Sequence, residues 1–291
     1  MFRGSLPALV TPFRDEALDE AAYRAFVAWQ IGEGSHGLVP AGTTGESATL
    51  RPREHRRAVE ICVEAAAGKV PVIAGCGSND TAHAIALTRA AKEAGADAAL
   101  HVPPYYNRPN QEGIYAHLAA VAEAVDIPIV LYNVPARTVT DIAVETMARL
   151  ARIANIVAVK DATGNLARVT AQRLACGEDF VQLSGNDDMA LGFVAMGGRG
   201  CVSVTANVAP RLCAQFENAC LSGHWDEALR LQDKLYPLHA ALFSDASPGP
   251  AKYAVNKLRP DFPADLRLPM TPPSEASRKA VDSALAHAGL L

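Results

Sequence analysis

Short apolar runs recur along the chain, each bounded by polar or glycine residues and separated by stretches with helical spacing. The runs at 5–10, 36–41, 70–74, 98–102, 127–133, 156–160, 180–185 and 201–204 read as eight buried strands, since each is too short for a helix and ends in a turn signal. Between them, 19–32, a segment from Pro52, 81–94 and 111–125 carry apolar residues at helical spacing. Eight buried strands alternating with helices predict a parallel α/β sheet wound into a (β/α)8 TIM barrel. Past Asn207 the pattern turns purely helical, at 212–221, 225–243 and 275–287. The expected division is therefore a barrel over 1–223 and a C-terminal helical region over 224–291. No GxGxxG opens a helix after the first strand, which argues against a dinucleotide fold.

Composition narrows the function classes. The 291 residues are 49% hydrophobic and 20% charged, with a net charge of -4 and no Lys/Arg run. Nucleic acid is not an expected partner. No apolar run approaches the ~20 residues of a bilayer span, and no signal-peptide pattern is read at the N-terminus. The expected location is the cytoplasm. The six cysteines include no CxxC pair, so they read as buried thiols rather than as a zinc site, and no metal is expected. Cys76, near a strand end, reads as a small buried filler.

Candidate chemistry collects at the strand ends, which in a barrel of this kind share one face. Ile156-Val157-Ala158-Val159 runs into Lys160. Burial at such a position disfavours an ammonium relative to the neutral amine, the form that attacks a carbonyl. The second strand ends in Thr43 and Thr44, the fourth in Tyr105 and Tyr106, the fifth in Tyr132 with Arg137 beyond it, and the seventh in Gly185. Each has an ordinary structural explanation alone: a turn, a core tyrosine, a surface ion pair. Together they supply an amine for a ketone, a phenol for protons, hydroxyls for one carboxylate and a guanidinium for a second. That set suits Schiff-base chemistry on a 2-oxo acid.

Gly42-Thr43-Thr44-Gly45-Glu46, Tyr132-Asn133-Val134-Pro135-x-Arg137-Thr138 and Val159-Lys160-Asp161-Ala162-Thr163-Gly164-Asn165 resemble the signatures of the dihydrodipicolinate synthase family. Pro104-Tyr105-Tyr106-Asn107-Arg108-Pro109 and the tail from Arg267 to Pro272 fit the same pattern, so the likeness covers nearly the whole chain. The resemblance implies condensation of pyruvate with L-aspartate 4-semialdehyde in the diaminopimelate route to lysine, with no metal or organic cofactor because the lysine's iminium is the electron sink. It implies Lys160 as the imine-forming residue and a proton relay of Tyr132, Thr43 and Tyr106, with Tyr106 supplied by a neighbouring subunit. It implies Thr44, Gly185 and the Val202 carbonyl in the pyruvate pocket, Arg137 on the semialdehyde carboxylate, and a homotetramer built as a dimer of dimers. Pyruvate-dependent aldolases and dehydratases acting on 2-keto-3-deoxy sugar acids share the barrel and the lysine, and Arg137 is the feature that discriminates against them. A barrel that has lost catalysis is a further alternative, which the intact lysine, tyrosines and threonines oppose.

The resemblance also places a lysine-binding regulatory site at Ser47, Ala48, His55, Asn79, His83 and Tyr105. His83 stands where inhibited relatives have a glutamate and Pro52 where some have a histidine, so feedback inhibition is expected to be weak or absent. Val139 stands where many relatives have glycine, with no catalytic group lost.

Overall fold

The computed structural model describes residues 2–291. Seven parallel strands form one sheet: β1 (Gly4–Pro7), β4 (Ile73–Gly75), β5 (Ala98–His101), β6 (Ile129–Asn133), β7 (Ile156–Asp161), β8 (Val181–Ser184) and β9 (Gly200–Ser203), in the order β1-β9-β8-β7-β6-β5-β4. The remaining pair, β2 (Phe13–Arg14) and β3 (Ala17–Leu18), is a small antiparallel hairpin. The expected second strand pairs only through two isolated bridges, Ala8 with Val39 and Leu38 with Val72. Those bridges close the sheet between β1 and β4. Leu9 N–H donates to Val39 O at 3.0 Å and Ile73 N–H to Leu38 O at 2.8 Å, so residues 38–39 are hydrogen-bonded on both sides. Pro40, which has no N–H to donate, still accepts from Gly75 N–H of β4 at 2.9 Å, and Ala41 then turns the chain away at φ 53. Eight paired segments thus make the (β/α)8 TIM barrel.

The interior is filled from alternate strand positions. Leu6, Ala8, Val39, Ile73, Ala98, Leu100, Val130, Tyr132, Ala158, Leu183 and Val202 form one buried cluster. This is the inward half of a period-two pattern, while neighbours such as Ile129, Leu131 and Val159 pack outward against helical residues Ile114, Leu118 and Met147. A bulge between Ile129 and Val130 shifts the register, after which Tyr132 pairs with Lys160 and Asn133 with Asp161.

The helices in chain order are α1 (Glu20–Gly32), α2 (Pro52–Ala66), α3 (Thr81–Glu93), α4 (Gln111–Ala124), α5 (Pro135–Thr138), α6 (Val144–Leu150), α7 (Ala167–Cys176), α8 (Ala190–Ala195), α9 (Pro210–Leu221), α10 (Trp225–Ala241), α11 (Gly249–Leu258) and α12 (Glu275–His287). Side chains of Asp19, Asp80, Asn110 and Ser274 accept from first-turn amides of α1, α3, α4 and α12, so these starts are written in the sequence. The C-terminal helices are not a separate core. Leu231, Leu235, Leu238, Val281 and Leu285 lie in the same buried cluster as Tyr23, Phe26, Ile61 and Phe216 of α1, α2 and α9. No helix among the described residues is long and apolar enough to cross a membrane.

Candidate active site

The strand ends converge as the barrel geometry requires. Lys160 is 6% exposed and Tyr132 7%. Their Cα atoms are register partners on β7 and β6, and the Lys160 amine lies over the Tyr132 ring, 4.1 Å from its centroid. That separation is within the ~6 Å over which a ring face attracts a cation. Among the described residues no carboxylate forms an ion pair with this amine, in contrast to Lys252, which pairs with Glu46.

The residue following each of these two points outward and is locked. Asp161 accepts from Thr163 N–H at 2.9 Å, Thr163 Oγ1 at 2.6 Å, Gln172 Nε2 at 2.6 Å and Arg168 Nε at 3.3 Å. Asn133 donates to Asp141 at 2.7 Å and accepts from Ile142 N–H at 3.1 Å. Because successive strand residues face opposite ways, fixing Asp161 and Asn133 fixes the inward aim of Lys160 and Tyr132. Asn133 and Asp161 stand in the sequence motifs with no expected role of their own. The Asp-x-Thr spacing of an Asx turn was the available signal.

Thr44 is buried and Thr43 exposed on the loop after residues 38–41. Ala41 and Glu46 bracket that loop, both at left-handed φ, 53 and 57. A Cβ on Gly75 would lie 2.2 Å from the Ala41 carbonyl oxygen, so the absence of a side chain on β4 lets this loop sit against the strand. Gly185 follows β8, and its N–H donates to Asp161 O at 2.7 Å. A Cβ there would meet the Ala162 Cβ at 2.6 Å, so only glycine permits this approach to the turn after Lys160. Val202 is buried on β9. Two residues on, Asp187 fixes the chain by accepting from Val204 N–H at 2.9 Å, Thr205 N–H at 3.3 Å and the Ser203 hydroxyl.

Arg137 is exposed on α5, at the mouth of this end. Val139 caps that helix at φ 54, where a β-branched residue is strained. Tyr106 is 91% exposed, with φ 67. Within one chain it shares no sheltered environment with Tyr132, so the expected relay is not assembled by this chain alone. Of the expected regulatory residues, Ala48 and His83 are exposed, Tyr105 is 38% exposed, and Ser47 and Asn79 are half-buried. His55 is buried, with Nε2 2.6 Å from Gly75 O, and burial holds its imidazole below the ordinary value despite that bond. Cys76 is fully buried and burial pushes its thiol up, in keeping with a filler.

The fold and this end of it define a class: a (β/α)8 barrel with a buried amine aimed at the space where the strands end. The comparisons with known proteins make this particular. Residues 1–288 match the model of the Dihydrodipicolinate synthetase family. The chain is 67% identical to the 4-hydroxy-tetrahydrodipicolinate synthase of Rhizorhabdus wittichii and 60% identical to that of Zymomonas mobilis, each over 100% of both chains. It superimposes on the chloride-inhibited dihydrodipicolinate synthase of Acinetobacter baumannii, solved with pyruvate, at a TM-score of 0.97 and 41% identity, covering 100% of both chains. The synthase of Cyanidioschyzon merolae, solved with lysine bound, gives 0.96 at 38% identity, covering 100% of this chain and 99% of that one. The chain belongs to the dihydrodipicolinate synthetase family.

Proposed function

We propose that this lyase condenses pyruvate with L-aspartate 4-semialdehyde to give 4-hydroxy-tetrahydrodipicolinate, on the way to diaminopimelate and lysine. The observation that carries the reading is the buried Lys160 amine stacked on Tyr132 at the strand ends. The neutral amine adds to the pyruvate ketone, and loss of water gives an imine. A proton leaves the pyruvate methyl carbon and the enamine forms. That carbon attacks the aldehyde, and the new alkoxide takes a proton. The amine of the bound semialdehyde then attacks the imine carbon, closing the ring and releasing Lys160. Tyr132, adjacent to the amine, moves the protons with Thr43 and with Tyr106 of a second subunit. Thr44 and surrounding amides hold the pyruvate carboxylate beside Gly185 and the Val202 carbonyl. Arg137 receives the semialdehyde carboxylate.

The exposure of Tyr106 supports an assembly of at least two chains, and a homotetramer working in the cytoplasm is the form proposed. Lysine is proposed to inhibit weakly or not at all, because His83 brings no negative charge to its ammonium. A coupled assay tests the reaction: pyruvate and the semialdehyde are supplied, and product is reduced by dihydrodipicolinate reductase while nicotinamide oxidation is followed. Turnover is expected. Imine trapping by borohydride with no turnover would move the substrate to a sugar acid, and neither signal would leave a barrel without this chemistry.

A further inference from the structure

The loop carrying Thr43 and Thr44 is held from the far end of the chain. Glu46, which closes the loop, is 5% exposed, and its partner Lys252 on α11 is fully buried. Lys252 Nζ donates to Glu46 Oε1 at 2.8 Å and also to the Asp265 carbonyl. Arg267 N–H donates to the other carboxylate oxygen at 3.3 Å. The Arg267 guanidinium continues the tie, donating to Thr49 O at 3.0 Å and to Glu54 at 2.6 and 2.8 Å. Lys252 and Arg267 both stand on the Phe13 ring, 4.6 and 4.0 Å from its centroid.

Two features direct this tie toward the site. Ala41 and Glu46 both hold left-handed backbone, a conformation that persists in such residues only where surrounding contacts impose it. Glu46 N–H donates to Thr43 O at 3.1 Å, so movement of Glu46 is passed to the threonine backbone. Hydrogen bonds from Thr11 Oγ1 to Gly45 O, 2.7 Å, and from Gly45 N–H to Gly42 O, 3.1 Å, complete the restraint. Of the two charged pairs in this tie, Glu46–Lys252 is the more deeply buried, at 0% and 2% side-chain exposure against 9% and 18% for Arg267–Glu54.

We infer that Glu46 and Lys252 are positioning residues, through which the C-terminal helical region sets the Thr43–Thr44 loop for the carboxylate of the 2-oxo acid. This rests on the proposed reading that Thr44 holds that carboxylate while Lys160 forms the imine. The pair touches no reacting atom. Its loss therefore weakens capture of the keto acid and leaves Lys160 able to react at saturation.

Borohydride trapping across a pyruvate titration tests this, with mass read on the intact chain and melting followed separately. The variants are Lys252→Met and Glu46→Gln, assayed well below the melting temperature of each. Glu46→Gln has nearly the same shape and keeps one accepting oxygen while its NH2 donor replaces the other, so it serves if Lys252→Met folds poorly. Expected is a rise of about tenfold in the pyruvate concentration for half-maximal trapping in Lys252→Met, a smaller rise in Glu46→Gln, and unchanged maximal labelling in both. The KM for the semialdehyde stays at the parent value. A lowered melting temperature with unchanged half-saturation would reduce the pair to a fold-stabilising contact and overturn the inference. Absence of labelling in the parent would overturn the site reading itself, so the two failures are told apart.

Discussion

Two lysines are buried among the described residues, one at the end of β7 and one on α11, and their surroundings differ in kind. Lys252 is fully enclosed and has a carboxylate 2.8 Å away. Burial pulls its ammonium below the ordinary lysine value, and Glu46 raises it in return. Lys160 is 6% exposed and has the face of a phenol ring in place of a carboxylate. A buried ion pair holds a charge in place, whereas an amine with no carboxylate bound to it is left open to bond to carbon. The same side chain is thereby a brace in one region and a candidate nucleophile in the other, and the partner decides which.

The largest effect separates the two by function. Lys160→Ala is expected to reduce imine trapping and turnover to background while leaving thermal stability near the parent's, since no buried charge loses its partner. Lys252→Ala strands the Glu46 carboxylate in a dry site and is expected to cost about 3–5 kcal/mol of unfolding free energy. Denaturant titrations of both variants check the contrast, which breaks if their stability losses are equal.

A third buried ionisable group sharpens the rule from the acid side. Glu217 on α9 is 1% exposed, and neither of its carboxylate oxygens has a hydrogen-bond partner. It lines a small internal cavity of about 10 Å³ with Ser5, Asp187, Cys201, Cys213 and His239. Burial and then the nearby Asp187 push its carboxyl up from an ordinary 4.5 to about 8. Lacking a counter-ion, it keeps its proton. A raised folded-state value gives a contribution fully present below pH 4.5 and lost as pH rises through about 8. Glu217→Gln, which cannot ionise, should match the parent near pH 4.5. It should gain on the parent by up to about 1.4 kcal/mol for each pH unit above that, levelling off past pH 8. Melting curves at pH 5, 7 and 9 read this out, and a constant difference across them would show that Glu217 does not titrate in this range. A smaller effect is expected at the exposed mouth. Arg137→Ala should leave imine trapping intact and lower kcat/KM for the semialdehyde by about 1.5–3 kcal/mol, the worth of a charge-assisted contact. Unchanged use of that aldehyde would remove Arg137 from substrate binding.

The barrel was legible because its strands are short apolar runs with turn residues behind them, and the capped helix starts because Asp19, Asp80, Asn110 and Ser274 mark them. The β2–β3 hairpin was not. Its turn places Asp15 and Glu16 at φ 50 and 61, conformations that Asn-Gly or Asp-Gly would have advertised and Asp-Glu does not. Lys160 and Tyr132 could be read as strand-end residues, since local pattern sets their inward aim. Glu46 could be read as part of a motif but not as the partner of Lys252, because that contact joins residues 206 positions apart and leaves no local periodic trace. The short α5, α6 and α8 were likewise invisible, being too brief to display a helical period, whereas α7 and α11 carry such a pattern and were not predicted.

The smallest expected effect lies where surface charge replaces burial. His83 is exposed at the start of α3. Asn79 and the loop that carries Tyr105 are joined close by, through Asn107 Nδ2 on Asn79 O at 2.8 Å. An ammonium arriving there meets imidazoles and amides and no carboxylate from this set, so submillimolar lysine should leave the parent's rate unchanged. His83→Glu supplies the missing charge, but at an exposed site an ion pair is worth only ~0.2–1 kcal/mol. The lysine concentration for half-inhibition should therefore fall by about two- to fivefold in steady-state assays, with kcat unaltered in the absence of lysine. A much larger gain would mean that the pocket is drier in the assembled enzyme than in one chain, as when a second subunit closes over Tyr105. Strong inhibition of the parent would show that a group outside this set already supplies the negative charge.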